Sequence, residues 1–527
     1  MAMLFNSKKN RNFTTNFVVV GKFVISGQPF FTPMRIAEEL LRIAKGEVQD
    51  DEWSRQIYSV DASHYEIAPA AVAFPVDDDD VCQICQYSSA KKIPIAARGA
   101  GTGLLGQSLS EGGIIIDFTR HMNRIVEIED DYVTIQPGIV KAVLDKELRK
   151  KNKFLPPDPA SSNYCTIGGM IANNSSGIHC LGYGNTIDFL EQVNVVYPDG
   201  SIGFASADRF DDRMKRLHKL LQPFAGTIRK GYPKVSKNSC GYRLDAVIAE
   251  NKFQPHKVFA ASEGTLGIVT SARMRILDIP AHRSILVLGF EDLVEAVSAV
   301  PVILNKFSPT ALEMLDHTIS AHSGKMSATD DARGCLLLIE FASSSSQYAD
   351  EERMSQCRQE LAGRCSVIEY ASDEQSISRI WRARKAALNN IMKITVGSRK
   401  PVGLIEDTVV SPALLAEHVS VLLQTYRENK LDYVMFGHVG DGNLHTRPII
   451  DISSKSQVEM MKSIATSVFA RVIKAGGTIT GEHGDGLARV DYVEMMYGKE
   501  LTCLFSDVKR LFDPSLTMNP GKKVPVQ

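Results

Sequence analysis

The 527-residue sequence has almost no net charge, few cysteines, and no long apolar run. Lys plus Arg number 60 against 61 for Asp plus Glu. That balance argues against nucleic acid as the main partner, because binding phosphates needs a basic excess. Nine cysteines, scattered and odd in number, fit no disulfide framework and point to a reducing, cytoplasmic setting. No uninterrupted apolar stretch approaches the ~18 residues of a membrane span, so at most peripheral membrane association is expected. Acidic residues are missing from the leader: Lys8, Lys9, Arg11, Lys22 and Arg35 all precede the first acid, Glu38. Such a leader suits an organellar transit segment or a plain N-terminal extension; the second reading is preferred, and targeting stays open. What is present is a 44% hydrophobic complement, ample for buried cores.

Pro33 to Ala44 reads as a helix with Ile36, Leu40, Leu41 and Ile43 on one side. From Ala70 the texture becomes short β-type runs, glycine turns and helices, beginning strand, helix, strand, loop. The acidic run Asp77 to Asp80 reads as a helix start rather than a metal site. Cys82 and Cys85 sit inside that helix, where core positions are expected rather than redox or zinc chemistry. From Ala281 strands alternate with longer amphipathic helices to about Gly498. The expected units are 1–58, an extension with a helical segment; 59–280; 281–498; and 499–527, a turn-rich tail returning to an earlier unit. Ser343 to Ser346 reads as a short serine loop.

Three glycine-rich loops follow in order. "ARGAGTGLLGQS" spans Ala97 to Ser108, after a strand-like run. Glycine permits positive φ and close backbone approach, so clustered N–H groups can hold phosphate oxygens. "PPDPASSNYCTIGGMIANNSSGIHCLGYGNT" spans Pro156 to Thr186, and "ASEGTLGIVT" spans Ala261 to Thr270. One such loop is weak evidence, but three in order suit a cofactor whose pyrophosphate is held by backbone amides.

With "NPGK" near the end, these motifs resemble the FAD-linked oxidase and dehydrogenase family with a PCMH-type FAD-binding domain. That group includes D-lactate dehydrogenases, the flavin subunit of glycolate oxidase and D-2-hydroxyglutarate dehydrogenases. The resemblance implies an α+β fold: a two-subdomain FAD-binding unit at 59–280, then a substrate or cap unit at 281–498 with a ferredoxin-like sheet. It places Arg98, Gly99, Ala100, Gly101, Thr102, Gln107 and Ser108 along one side of FAD. Pro157, Asp158, Thr166, Gly169, Asn173, Ser175 and Gly177 would line another. Glu263, Gly267 and Val269 would hold the adenine end, and Asn443 and Asn519 would also contact the cofactor. Thr102 stands where some relatives carry a flavin-linked histidine, so non-covalent FAD is expected.

The segment "YVMFGHVGDGNLHTRPII" carries two histidines, His438 and His445, on either side of a tight glycine turn. "GGTITGEHGDGLAR" adds Glu482 and His483. Two imidazoles and a carboxylate suit a borderline divalent metal such as zinc, with a position left open for substrate. The resemblance implies His438, His445 and Glu482 as ligands and His483 as the base. Oxidising a 2-hydroxy acid requires removal of the hydroxyl proton and transfer of the α-hydrogen to flavin N5 as hydride; the metal acidifies the oxygen and the histidine accepts the proton.

Substrate carboxylates call for cations. "IWRARKAALNNI" offers Arg382, Arg384 and Lys385, which cannot all share one helix face. Alignment with the family favours Arg384; Arg447 follows His445 by two residues; Lys400 is a third candidate. The expected substrate is D-lactate or D-2-hydroxyglutarate, with a slight lean to the dicarboxylate. "GLIEDTVVSP", "WRARK" and "HTRPII" look most like flavoproteins fused to an iron–sulfur module, yet no cysteine run of that kind occurs here. Electrons are therefore expected to leave to a quinone, a cytochrome or a separate iron–sulfur protein. The competing readings are a non-catalytic flavin subunit of a glycolate oxidase-like complex, a metal-free oxidase of the same fold, and non-redox flavin chemistry as in alkylglycerone-phosphate synthases.

Overall fold

The computed structural model describes residues 33–249, 252–316, 334–343, 347–391 and 397–525; the basic leader before Pro33 and Ser344 to Ser346 of the serine loop lie outside the described residues. The fold is mixed α+β, built on three larger sheets. In the first, Ala71–Phe74, Ile114–Asp117 and Ile95–Arg98 run parallel, with Glu47–Gln49 antiparallel at one edge. The central runs "AVAF" and "IIID" are wholly buried, which is why they read as continuous hydrophobic stretches.

The aspartate run is structural. Asp77 caps the helix Asp78–Lys91 by accepting from the Asp80 N–H at 2.9 Å. The buried Asp80 carboxylate accepts from the backbone N–H groups of Lys45, Gly46 and Val76. Those bonds draw the chain at Lys45 and Gly46 to Asp80, so the helix expected to reach Ala44 ends at Leu40. Cys82 and Cys85 are buried in this core, and all nine cysteines are free.

The second sheet is antiparallel, in the order Ile125–Ile128, Tyr132–Ile135, Ile268–Arg275, Leu190–Val196, Ile202–Ser206. Among the described residues, the third has eight antiparallel strands. Along its main path these are Ser366–Ala371, His282–Phe290, Cys335–Ser343, Ala311–Asp316, Tyr433–Gly437, Asn443–Ile450 and Lys400–Pro401; Thr408–Val409 also pairs with Asn443–Ile450. Period-two alternation gives each strand two faces. Leu286, Leu288, Leu312, Met314, Leu337 and Ile339 join the main core with Val297, Val300 and Ile303 of the helix Leu293–Phe307. Ile285, Val287, Leu315, Leu336 and Leu338 pack on the other face against Ile377, Ile380 and Trp381 of the helix Glu374–Ile391.

That second face also buries two carboxylates. Glu313 is 0% and Glu340 1% exposed. The helix Glu374–Ile391 supplies partners one turn apart: the Trp381 indole N–H donates to Glu340 Oε2 at 2.6 Å, and Arg384 donates to Glu313 Oε2 from Nη2 at 2.7 Å and Nε at 3.1 Å. The C-terminal segment pairs with the first sheet. The Ile95 N–H donates to the Thr517 carbonyl at 2.8 Å and the Asn519 N–H to the Ile95 carbonyl at 2.7 Å. Among the described residues no helix is long and apolar enough to cross a membrane.

His179 sits where the second glycine loop meets the large sheet. Its Nδ1 lies 2.8 Å from Asp158 Oδ2 and its Nε2 2.9 Å from Glu340 Oε1, while Arg283 Nη2 donates to Glu340 Oε2 at 2.8 Å. Burial disfavours charge on His179, but Asp158 and Glu340 more than reverse this and push it up to about 10. Burial likewise opposes ionisation of both carboxylates, yet His179 holds each near about 2. A raised histidine stabilises fully below its unfolded pKa of ~6.5 and loses that contribution as pH rises towards 10. The depressed carboxylates contribute above ~4.5 and lose it as pH falls towards 2. His179→Gln is therefore expected to destabilise the fold by ~1–3 kcal/mol at pH 5–6.5, because half-buried Asp158 and buried Glu340 lose their shared cation while Glu340 keeps Arg283. Melting curves against pH check it: the gap to wild type should narrow by pH 10, and a gap independent of pH would refute the pairing.

Candidate active site

The three glycine loops border one cavity of about 500 Å³, within the usual ~300–1,000 Å³ range of ligand clefts. Its walls include the backbone-rich stretch Arg98 to Gly103, the Thr166 to Asn173 segment, and Ser262 to Gly264 with Gly267 to Val269. The first two loops are pressed together: a Cβ on Gly99 would fall 2.1 Å from Thr166 Oγ1. Thr166 caps the helix Ile167–Asn173 through the Gly169 N–H. In the third loop Glu263 has φ +52, a conformation uncommon for a glutamate. It is held by its own carboxylate, which accepts from the Asp485 N–H at 2.7 Å and the Gly486 N–H at 3.0 Å, and by Lys523 at 3.2 Å.

The far wall carries His438, His445, Glu482 and His483. His438 follows the strand Tyr433–Gly437 and His445 lies within the strand Asn443–Ile450. The turn between them needs glycine at 442: φ is +70 and a Cβ would fall 1.8 Å from the Val410 carbonyl oxygen. His438 Nε2 and His445 Nε2 each lie 3.2 Å from Glu482 Oε1, and His483 Nε2 lies 3.6 Å from the same oxygen. One donor atom from each of His438, His445 and Glu482 falls within 4.8 Å of the others. Glu482 Oε2 is turned away, accepting from Ser176 Oγ at 2.9 Å and Lys237 Nζ at 3.3 Å.

A second layer of carboxylates fixes these rings. Glu313 Oε1 accepts from His438 Nδ1, which fixes the ring so that Nε2 faces Glu482. Glu406 Oε1 lies 3.1 Å from His483 Nδ1, while its Oε2 accepts from Arg447 Nε at 2.9 Å. Asp407 accepts from the backbone N–H groups of Glu482 and His483 at 3.0 and 2.9 Å. Burial pushes the His438 imidazole down, but Glu313 carries it up to about 9. Burial of Glu482 opposes its ionisation; Lys237 and His438 reverse this and hold it well below the usual carboxylate range. Burial dominates at His445 and lowers it.

Residues 69–204 match a model described as FAD binding domain, and residues 279–523 match one described as FAD linked oxidases, C-terminal domain. The chain is 31% identical to glycolate oxidase subunit GlcD of Bacillus subtilis, over 92% of this chain and 96% of that protein. The chain belongs to the FAD-linked oxidase family. It is also 30% identical to D-2-hydroxyglutarate dehydrogenase of Haemophilus influenzae, over 91% of this chain and 50% of that protein. The chain thus spans about half the length of that relative. Among solved structures, p-cresol methylhydroxylase with substrate bound superposes with a TM-score of 0.67 at 15% identity, covering 94% of this chain and 97% of that one. That likeness concerns the fold alone.

In this FAD-linked oxidase most of the residues singled out in the sequence reach the cavity wall. They are Arg98 to Thr102, Gln107, Ser108, Thr166, Gly169, Asn173, Ser175, Glu263, Gly267, Val269, Arg384, Arg447 and the His–Glu group. Six do not line it, and their bonds say why. Pro157 is buried and Asp158 is committed to His179. Gly177 packs so closely on Asp158 that a Cβ would fall 2.3 Å from its carbonyl oxygen. Asn443 donates to Asp407 Oδ1 and the Thr408 carbonyl. Asn519 donates to the carbonyls of Gln107 and Glu263, joining two loops from behind. Lys400 is exposed on a short edge strand.

Glu313, Glu406, Asp407 and Lys237 were not anticipated; Ser176 belongs to the second glycine loop, but its bond to Glu482 was not anticipated. For Glu313 a signal existed: a charge in the middle of the apolar strand "ALEMLD" must find a partner when buried. Asp407 carries no comparable local signature.

Proposed function

We propose that this FAD-linked oxidase is a dehydrogenase of a D-2-hydroxy acid, D-lactate or D-2-hydroxyglutarate, that uses non-covalent FAD and a divalent metal, zinc being the best match. The carrying observation is the convergence of two imidazole nitrogens, each 3.2 Å from one Glu482 oxygen, on a cavity bordered by the glycine loops. This donor set fits such an ion: two nitrogens and one monodentate oxygen, with the second nitrogen of His438 held by a carboxylate. The first loop offers Thr102 rather than a histidine to the cavity, which favours non-covalent flavin. When bound, the flavin supplies a two-electron acceptor and the ion polarises the substrate oxygen.

The chain's own groups do the rest. His483 Nε2 takes the hydroxyl proton, while Glu406 and Asp407, 3.1 and 3.8 Å from Nδ1, stabilise the imidazolium that results. Arg384 lines the cavity, and its buried Nη1 has no hydrogen-bond partner among the described residues, a donor suited to the substrate carboxylate. Arg447, braced by Glu406, is a second. Reducing equivalents then pass to an electron acceptor such as a quinone, a cytochrome or an iron–sulfur centre. Because one relative is named as a subunit, a role as the flavin subunit of a larger assembly is the second reading; turnover of the isolated chain with a dye acceptor would reject its non-catalytic form.

Anaerobic addition of D-2-hydroxy acids should bleach the flavin, and L-isomers should not. Chelation should slow bleaching and zinc should restore it. Absence of bleaching with every hydroxy acid would overturn the reaction; full speed after metal removal would overturn the metal.

A further inference from the structure

Among the described residues, four Lys or Arg side chains line the cavity: Arg98, Arg384, Lys385 and Arg447. Three are already engaged. Arg98 donates from Nη2 to the Val60 carbonyl at 2.8 Å and packs over the Tyr58 ring. Arg384 is paired with Glu313 and Arg447 with Glu406, each carboxylate being 1% exposed or less. These two guanidinium groups therefore offer directed hydrogen bonds to a ligand, but each has its charge largely neutralised before the ligand arrives. Lys385, half-buried, makes no hydrogen bond or ion pair among the described residues. Its electrostatic neighbour is Asp158, whose two oxygens are taken by His179: Oδ2 by Nδ1 at 2.8 Å and Oδ1 by the backbone N–H at 3.2 Å.

The ammonium is also well placed to select. Trp381 and Arg384 bolt the helix Glu374–Ile391 to buried carboxylates on the sheet, so Lys385 projects from a fixed backbone. Successive helical residues diverge by ~100°, so Lys385 reaches a different part of the wall from Arg384. Asp158 is the ammonium's electrostatic neighbour, but its hydrogen bonds go to His179, so an anionic group entering the cavity can take the ammonium's donors directly.

We propose that Lys385 anchors a second substrate carboxylate, making this site selective for a 2-hydroxy dicarboxylate over a 2-hydroxy monocarboxylate. The inference rests on the proposed oxidation of 2-hydroxy acids and goes further by naming the substrate class. The α-carboxylate and hydroxyl belong at the His–Glu wall, with Arg384 Nη1 beside them; the distal carboxylate goes to Lys385.

The test measures kcat/KM for D-2-hydroxyglutarate and D-lactate in wild type, Lys385→Met and Lys385→Arg holoenzymes. In wild type the dicarboxylate should be preferred. In Lys385→Met the dicarboxylate-to-monocarboxylate ratio should fall about 10- to 100-fold, the effect of losing one charge-assisted hydrogen bond. The loss should lie in KM, and Lys385→Arg should recover most of it. A ratio unchanged in Lys385→Met, a loss confined to kcat, or a wild-type preference for D-lactate would overturn the proposal. Flavin bleaching of wild type by any D-2-hydroxy acid tests the underlying reaction separately, so the two failures are distinguishable.

Discussion

Replacement of His483 by alanine is expected to leave the flavin bound and to slow its reduction by substrate about 10²–10⁴-fold, the usual worth of a positioned general base. The surrounding bonds make this a clean deletion. The His483 backbone does the structural work: its N–H donates to Asp407 Oδ2 at 2.9 Å and its carbonyl accepts from Gln107 Nε2. Alanine keeps both. Glu406 loses one partner but retains Arg447 at 2.8 Å, so no buried carboxylate is stranded. The loop should therefore hold its course and the cofactor cavity its shape. Stopped-flow reduction of the flavin measures the rate, and the flavin-to-protein absorbance ratio measures retention. Added imidazole should recover part of the rate, which a purely structural role for His483 would not allow. An unchanged rate would remove His483 from the chemistry.

Much of this site was legible in the sequence, and the parts that were not share a cause. Glycine loops announce themselves because few other residues tolerate the close approach seen between Gly99 and Thr166. His438, His445, Glu482 and His483 stand out as site-type residues among glycines in buried surroundings. The aspartate run was readable because capping is local: Asp77 and the N–H it accepts from are three residues apart. What escaped depends on partners distant in the chain. Glu313 meets Arg384 across 71 residues and His438 across 125. Asn519 reaches Gln107 across 412 residues, so a residue expected at the cofactor proves to clamp the loops from behind. Arg384 and Lys385 are neighbours in sequence, and only the position of Glu313 shows that the guanidinium rather than the ammonium is bonded to a buried carboxylate.

Glu313 is the position where one change should do the most damage, because one carboxylate serves two masters. Its Oε2 accepts twice from Arg384 and its Oε1 takes the Nδ1 proton of His438. Glu313→Leu would leave the Arg384 guanidinium, 1% exposed, without a counter-charge. Breaking a buried pair from one side costs ~3–5 kcal/mol. The same substitution frees the His438 ring to rotate and to change tautomer, and loss of such a support typically weakens metal binding ~10–100-fold. The two effects are separable. In Glu313→Leu/Arg384→Met the stranded charge is gone and the volume is nearly conserved, so stability should largely return. Metal affinity should not, because His438 still lacks its acceptor. Denaturant unfolding and zinc competition with a chromophoric chelator would read the two quantities independently. If the double variant regained zinc affinity along with stability, Glu313 would act on the metal site only through the placement of the helix Glu374–Ile391, and the direct carboxylate–imidazole support would be refuted.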